Sequence, residues 1–318
     1  MNYAFCFPGQ GAQEVGMGKA LYESFSSARE VFDEADDTLS FKLTRTIFEG
    51  PDETLKLTAT TQPAIMTVSV AALRVLEKEM GAKPSPSCGA GHSLGEYTAL
   101  VAAKALSFRD AVELVHKRGA WMQEAAPEGV GAMAAILGLE ADDVVAACAS
   151  VAPHMECQAA NFNSPGQVVI SGQAEFVDKA VAEAKKKGAK KAIPLNVSAP
   201  FHSRLMMPAA EKLKAQFETY RWSDPEWPIV CNVRAVPVSS AASIKEALFA
   251  QTYSPVRWAD SVIQMADGGV GAFLELGPGD VLSGLVKRCR KGLKVMAAGA
   301  PEQLELMAKF LEEVRDGG

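Results

Sequence analysis

Short unbroken apolar runs alternate along this chain with longer stretches of helical spacing. Such alternation predicts an α/β architecture with a mainly parallel sheet. Residues 3–7, YAFCF, have the length and continuity of a buried strand, and Pro8-Gly9 closes them. Helical spacing follows over 18–35, 62–80, 94–105 and 108–124, and GAFLELGPG predicts a late strand over 272–276 that breaks into a loop before the helix of DVLSGLVKRC.

One segment has a different rhythm. GAMAAILGL reads as a strand, ADDVVAACAS as a helix, MECQAANF and GQVVISG as two strands, AEFVDKAVAEAKKKG as a helix and KKAIPLNV as a strand. That β-α-β-β-α-β order is the ferredoxin-like one. Core-like segments lie on both sides, so the expected organisation is a hydrolase-like α/β core of residues 1–126 and 196–318 carrying a ferredoxin-like α+β insertion over 127–195.

Composition narrows the class. A chain of 318 residues with 48% hydrophobic content buries a sizeable core. Lys+Arg 32 against Asp+Glu 38 gives a net charge of −6, which argues against a broad nucleic-acid surface. The six cysteines stand singly in apolar surroundings without a C-x-x-C pair or zinc-ligand spacing, as reduced core thiols of a cytosolic protein do. No run approaches membrane-spanning length and MNYAFCFPGQ lacks the layout of a signal peptide. A cytoplasmic location is expected, or an organelle reached after loss of a transit peptide.

The chemistry-bearing stretch is CGAGHSLGEYTALVAAKAL, residues 88–106, in which Gly91-x-Ser93-x-Gly95 precedes an alanine-rich helical run. This spacing fits a nucleophile elbow, where a sharp strand-to-helix turn presents a serine and frees backbone N–H groups for an oxyanion. The preceding AKPSPSCGAG is a poor strand by propensity, so from the motif alone a catalytic serine and a tight structural turn both stay open. A base is needed, and four histidines are available. His92 should point away from its neighbour's hydroxyl; His116 and His154 read as structural or surface residues. His202, in NVSAPFHSRLMM, follows the strand that re-enters the core and lies downstream of the serine, the order of α/β hydrolases. Asp142, Asp143 and Asp178 all fall in the inserted unit, so a Ser-His dyad oriented by a carbonyl is favoured over a triad. FPGQGAQ is no nucleotide fingerprint, since Glu14 occupies the last glycine position; read as a tight turn, it brings Gln10 beside the elbow as a second oxyanion donor.

Taken together and in order, FPGQGAQ, GHSLGEY, KRGAWMQEA, NSPGQVVISG, PFHS, QTYSPVRW and ELGPG closely resemble the malonyl-CoA:acyl carrier protein transacylase family, over nearly the whole chain. The resemblance implies that Ser93 attacks a thioester, His202 carries its proton, and the Gln10 and Leu94 backbone N–H groups bind the oxyanion. It gives Gln251 the task of orienting His202 through its main-chain carbonyl; composition alone makes Gln251 a polar loop residue. It makes Arg118 the holder of a malonyl carboxylate, which a planar guanidinium suits, whereas position alone makes it a solvated helix arginine. Phe201, before the histidine, resembles the malonyl-selective pattern.

Malonyl-CoA and an acyl carrier protein are the implied partners of a monomer, with no metal or redox cofactor. The pathway is that of fatty acid synthesis, or alternatively a polyketide or polyunsaturated-lipid assembly line served in trans. Carrier proteins of this kind are acidic, so docking candidates are Lys185, Lys186, Lys187, Lys190 and Lys191, then Lys287, Arg288 and Arg290. An esterase or thioesterase, and a carrier-binding module without turnover, are the rival readings.

Overall fold

A computed structural model describes residues 1–127, 129–197 and 199–316. Ten strands occur among them: β1 Tyr3–Phe7, β2 Cys88–Gly91, β3 Gly131–Leu137, β4 Cys157–Ser164, β5 Gln167–Gln173, β6 Lys191–Pro194, β7 Ile229–Val230, β8 Pro237–Val238, β9 Ala272–Leu276 and β10 Lys294–Ala298. They form two sheets, one ordered β10-β9-β1-β2-β7-β8 and the other β4-β5-β3-β6. The first is parallel except for its β7/β8 edge pair.

Every residue of β1 is buried, which is why it reads as an unbroken apolar run rather than an alternating one. Its side chains still divide by period two. Tyr3, Phe5 and Phe7 enter the large core shared with the helices Ser26–Leu39, Thr58–Arg74, Leu94–Ala102 and Phe108–Glu124, while Ala4 and Cys6 face the helices Trp258–Asp267 and Val281–Cys289. Strand β2, disfavoured by propensity, is nonetheless central and fully buried. Tertiary packing selects small residues there: a Cβ on Gly91 would overlap the Gly95 carbonyl, and one on Gly95 would overlap the carbonyl of Phe7. Phe7 and Gly91 are register partners, so the turns after β1 and β2 leave the sheet side by side at its C-terminal edge. Ligand crevices of open α/β sheets lie at that edge.

The second sheet is antiparallel throughout, and its order is the ferredoxin-like one. Ala134, Ile136, Val168 and Ile170 pack under the helices Ala141–Val151 and Ala174–Lys186, whereas Met133 and Val169 on the opposite face meet Met122, Phe201 and Met206. Strand β4 also bonds to the segment after residue 251, through Phe162 N–H to Val256 O (2.9 Å) and Val256 N–H to Ala160 O (2.8 Å).

Some helix limits differ from expectation. The stretch 18–35 divides at an extended Phe25 into Lys19–Ser24 and Ser26–Leu39, because the Glu79 carboxylate takes the Ser27 N–H (3.0 Å) and the Ser26 hydroxyl (3.1 Å) as a remote N-cap. The next helix starts at Thr58 and passes at Arg74 into a π-turn over Val75–Glu79. The helix after Ser93 stops at Ala102 rather than at 105. All six cysteines are free, five of them buried. Among the described residues no helix is long and apolar enough to cross a membrane.

Candidate active site

Ser93 stands between β2 and the helix Leu94–Ala102 with φ 52° and ψ −104°, a conformation costly for a non-glycine residue. Two side chains from distant elements hold it. The Asn232 Oδ1 accepts the Ser93 N–H (2.7 Å), while its Nδ2 donates to Gly91 O (2.7 Å). Gln251 Nε2 donates to the Ser93 carbonyl (2.9 Å). Nearby, the Gly9 turn comes so close that a Cβ there would overlap the His92 carbonyl, which brings Gln10 against the elbow.

His202 is buried, with Nε2 2.7 Å from Ser93 Oγ and Nδ1 2.8 Å from Gln251 O. A carbonyl only accepts, so Nδ1 carries the proton of the neutral ring and Nε2 is left as acceptor for the serine hydroxyl. Burial, and then the charge of Arg118, push the imidazole down to about 3, so it is a neutral base at any working pH. Its own φ is 56°, and its carbonyl accepts Gln158 Nε2 from β4 (3.1 Å). Asp142, Asp143 and Asp178 are exposed on the inserted unit's helices, and the group on Nδ1 is a main-chain carbonyl.

Arg118 is 1% exposed, which overturns the solvated-helix reading. Its helix approaches Thr58–Arg74 closely at Gly119, where a Cβ would strike the backbone of Thr58 and Ala59. The guanidinium Nη1 donates to Gln62 Oε1 (2.8 Å), and Nη2 donates to Gln251 Oε1 (2.9 Å) and Ser93 Oγ (3.1 Å). The Tyr97 ring lies 5.3 Å away, while the buried Nε–H finds no acceptor among the described residues. Gln251 is likewise no loop residue: it is fully buried in the helix Ala241–Tyr253.

Gln10, Ser93, Leu94, Arg118, Phe201 and His202 all line one cavity of about 110 Å³, together with Gln62, Met122, Met133 and Leu195. Neither the Gln10 nor the Leu94 N–H donates to a group among the described residues, and Leu94 opens its helix, where the dipole favours negative charge. None of the other histidines is hydrogen-bonded to Ser93 Oγ. His92 turns to Asn163 Oδ1 (2.9 Å), and His154 is exposed. His116 Nδ1 meets Ala59 O (2.8 Å), the carbonyl that Pro63 leaves free by lacking an N–H four residues on.

Asn232, Glu96, Gln62 and Gln158 belong to the site, and the motifs did not single them out. Glu96 had a legible signal, a carboxylate inside an alanine-rich apolar helix. Burial raises it to about 7 although Asn232 N–H and Gln251 Nε2 both donate to it at 3.0 Å. Asn232, Gln62 and Gln158 carried none, since each is a lone amide whose partners come from remote elements.

The arrangement offers a serine, a neutral base, free N–H groups at a helix N-terminus and a buried cation beside the nucleophile. Comparison with known proteins agrees. The acyl transferase domain matches residues 4–309. The malonyl CoA-acyl carrier protein transacylase of Bacillus subtilis is 52% identical over 98% of both chains, and that of Escherichia coli K12 is 46% identical over 98% of this chain and 99% of its own. Among solved structures, a malonyl-transacylase in complex with its type II polyketide acyl-carrier protein superposes with a TM-score of 0.94 at 44% identity, covering 98% of this chain and 100% of that one. The acyl-carrier-protein S-malonyltransferase of Bartonella henselae gives 0.95 at 46% identity, again covering 98% and 100%. The chain therefore belongs to the acyl transferase family, in its malonyl-CoA:acyl carrier protein transacylase group.

Proposed function

We propose that the protein transfers a malonyl group from malonyl-CoA to the phosphopantetheine thiol of an acyl carrier protein, by a ping-pong route through malonyl-Ser93. The observation that carries this reading is the buried Arg118, whose Nη2 lies 3.1 Å from the nucleophile. A fixed cation at that distance, whose Nε–H is also without an acceptor among the described residues, suits an acyl group ending in a carboxylate a few atoms from its carbonyl. His202 takes the Ser93 proton as Oγ attacks the thioester carbonyl, and the Gln10 and Leu94 N–H groups receive the oxyanion. The tetrahedral intermediate collapses with loss of CoA, whose thiolate takes the proton from His202. The carrier thiol then gives its proton to His202 and attacks the serine ester, and Ser93 regains a proton as it leaves. The scheme uses no metal or redox cofactor.

Carrier docking is assigned to Lys287 and Arg288 ahead of the lysines at 185–191, the reverse of the sequence-based order. Support comes from position. Arg288 Nη1 donates to Gln167 Oε1 (2.8 Å), and Gln167 lines a neighbouring cavity of about 140 Å³ that shares Gln10 and His92 with the first. Lys186 and Lys187 are engaged with Glu183 and Asp143. An esterase reading leaves the buried Arg118 without a role.

The test is incubation with a panel of acyl-CoAs, followed by intact mass and peptide mapping. A malonyl adduct on the Ser93 peptide, discharged by holo carrier protein, is expected. Loading of uncharged acyl groups in preference to malonyl would overturn the assignment.

A further inference from the structure

Among the described residues two glutamates are almost wholly buried, and they are used differently. Glu275 accepts the Leu282 and Ser283 N–H groups (3.0 and 2.7 Å) and caps the helix Val281–Cys289. Glu96 caps nothing. Its Oε2 accepts from Asn232 N–H and Gln251 Nε2, both at 3.0 Å. Through these two residues it reaches Ser93, His202 and Arg118. Asn232 holds the Ser93 N–H, Gln251 Nε2 holds the Ser93 carbonyl, Gln251 O holds His202, and Gln251 Oε1 holds Arg118.

We propose that the Glu96 carboxylate, acting through the Gln251 amide, is the counter-charge of Arg118 and a positioning residue for both halves of the dyad. The proposal rests on the acyl-transfer reading above. An amide set between a cation and an anion has one orientation: oxygen to the guanidinium, nitrogen to the carboxylate. Turning it over would lose charge-assisted bonds at both ends in a medium of low dielectric. Arg118 makes no direct ion pair among the described residues, and Glu96, one amide away, is the carboxylate that faces it. When an acyl carboxylate engages Arg118, Glu96 still holds the Gln251 nitrogen, and the carbonyl that orients His202 stays in place.

A part played by the charge, rather than by shape alone, is visible in pH dependence. The charged and titratable groups facing Glu96 are Arg118 from the helix Phe108–Glu124, Arg234 from the turn after β7, and Tyr97 beside it. Burial outweighs both arginines and leaves the carboxyl near 7, whereas His202 sits near 3. An acid limb close to neutrality therefore belongs to Glu96, whose ionised form is the active one, and not to the base.

The experiment measures the rate of Ser93 acylation by saturating malonyl-CoA in the full chain, from about pH 5 to about pH 9. Wild type is expected to lose rate as pH falls through about 7. Glu96→Gln should fold with a Tm no lower than wild type, keep its malonyl-CoA KM, load roughly 10- to 100-fold more slowly on the alkaline side, and lose the limb. A wild-type rate in Glu96→Gln, or a limb that persists in it, overturns the proposal. Should that variant not fold, Arg234→Gln on the surface removes one cation facing the carboxyl and should move the limb to higher pH; an unmoved limb overturns the proposal equally. Wild type that takes no malonyl would instead overturn the acyl-transfer reading, which keeps the two failures apart.

Discussion

Beneath Ser93 the parallel sheet and its helices bury Glu96, Arg118, Asn232 and Gln251, whereas the facing wall of the cavity presents Met133, Leu195 and Phe201 and reaches the dyad through one amide, Gln158. The floor is polar, strained at Ser93 and tied together by hydrogen bonds between distant elements; the wall is an ordinary apolar face. Desolvation makes each interaction in the floor stronger and each loss there dearer, since an orphaned buried charge costs more than an orphaned methyl. Chemistry is thus concentrated on one side, and the inserted unit supplies mainly shape.

The largest effect should come from the floor's centre. Ser93→Ala is expected to abolish malonyl loading, a loss of roughly 10⁴-fold or more, because dyad members act as a unit. Detectable transfer at an undiminished rate would end the nucleophile assignment. Next comes Arg118→Ala, which should lower malonyl loading by about 10²- to 10³-fold while acetyl loading rises, as the site loses its buried cation. Equal losses for both acyl groups would mean that Arg118 serves the fold rather than the carboxylate.

Burial of Glu96 makes its contribution to stability depend on pH in a sense opposite to activity, and burial of His202 does the reverse. Glu96 is raised in the folded state, so its favourable contribution is present below the unfolded carboxyl pKa and is lost as pH rises through about 7. His202 is depressed, so the folded state loses stability as pH falls below the ordinary imidazole value toward about 3. Glu96→Gln should therefore raise Tm relative to wild type on the alkaline side by the equivalent of about 3 kcal/mol or less, and much less in mild acid. Thermal melts at two pH values check it, and a pH-independent difference would show that the carboxyl is not titrating there.

This contrast also explains what was legible in the sequence. Apolar runs and their periods gave the two sheets, because burying a strand on both faces leaves a pattern that local reading detects. Ser93, His202 and Gln10 sit at turns whose glycines and prolines mark them. Strand β2 was obscured, since its residues are chosen for closeness to Gly95 and Phe7 rather than for propensity. Asn232, Gln62 and Gln158 were silent for a related reason: a buried amide is defined by partners 44 to 141 positions away, and no window of the chain contains both.

On the wall side effects should shrink. Phe201, 8% exposed and packed with Met122 and Met133, lines the cavity that holds Ser93 and His202. Phe201→Ala should improve loading of methylmalonyl relative to malonyl by roughly tenfold, the worth of one methyl group in a tight pocket. An unchanged ratio would place selectivity elsewhere in the cavity.

The smallest effect tests whether the inserted unit contributes anything beyond shape. Gln158 spends its Nε2 on the His202 carbonyl, and its buried Oε1 has no partner among the described residues. Gln158→Leu removes that orphan oxygen while depriving the carbonyl of its donor, so the two changes in stability oppose each other and Tm should scarcely move. What is lost is one restraint on a histidine held at φ 56°, worth about 1 kcal/mol if it acts on the transition state. The acylation rate should fall several-fold with KM for malonyl-CoA unchanged. If the rate holds instead, the backbone bonds between β4 and Val256 keep the base in place without Gln158, and the wall is apolar in function as well as in composition.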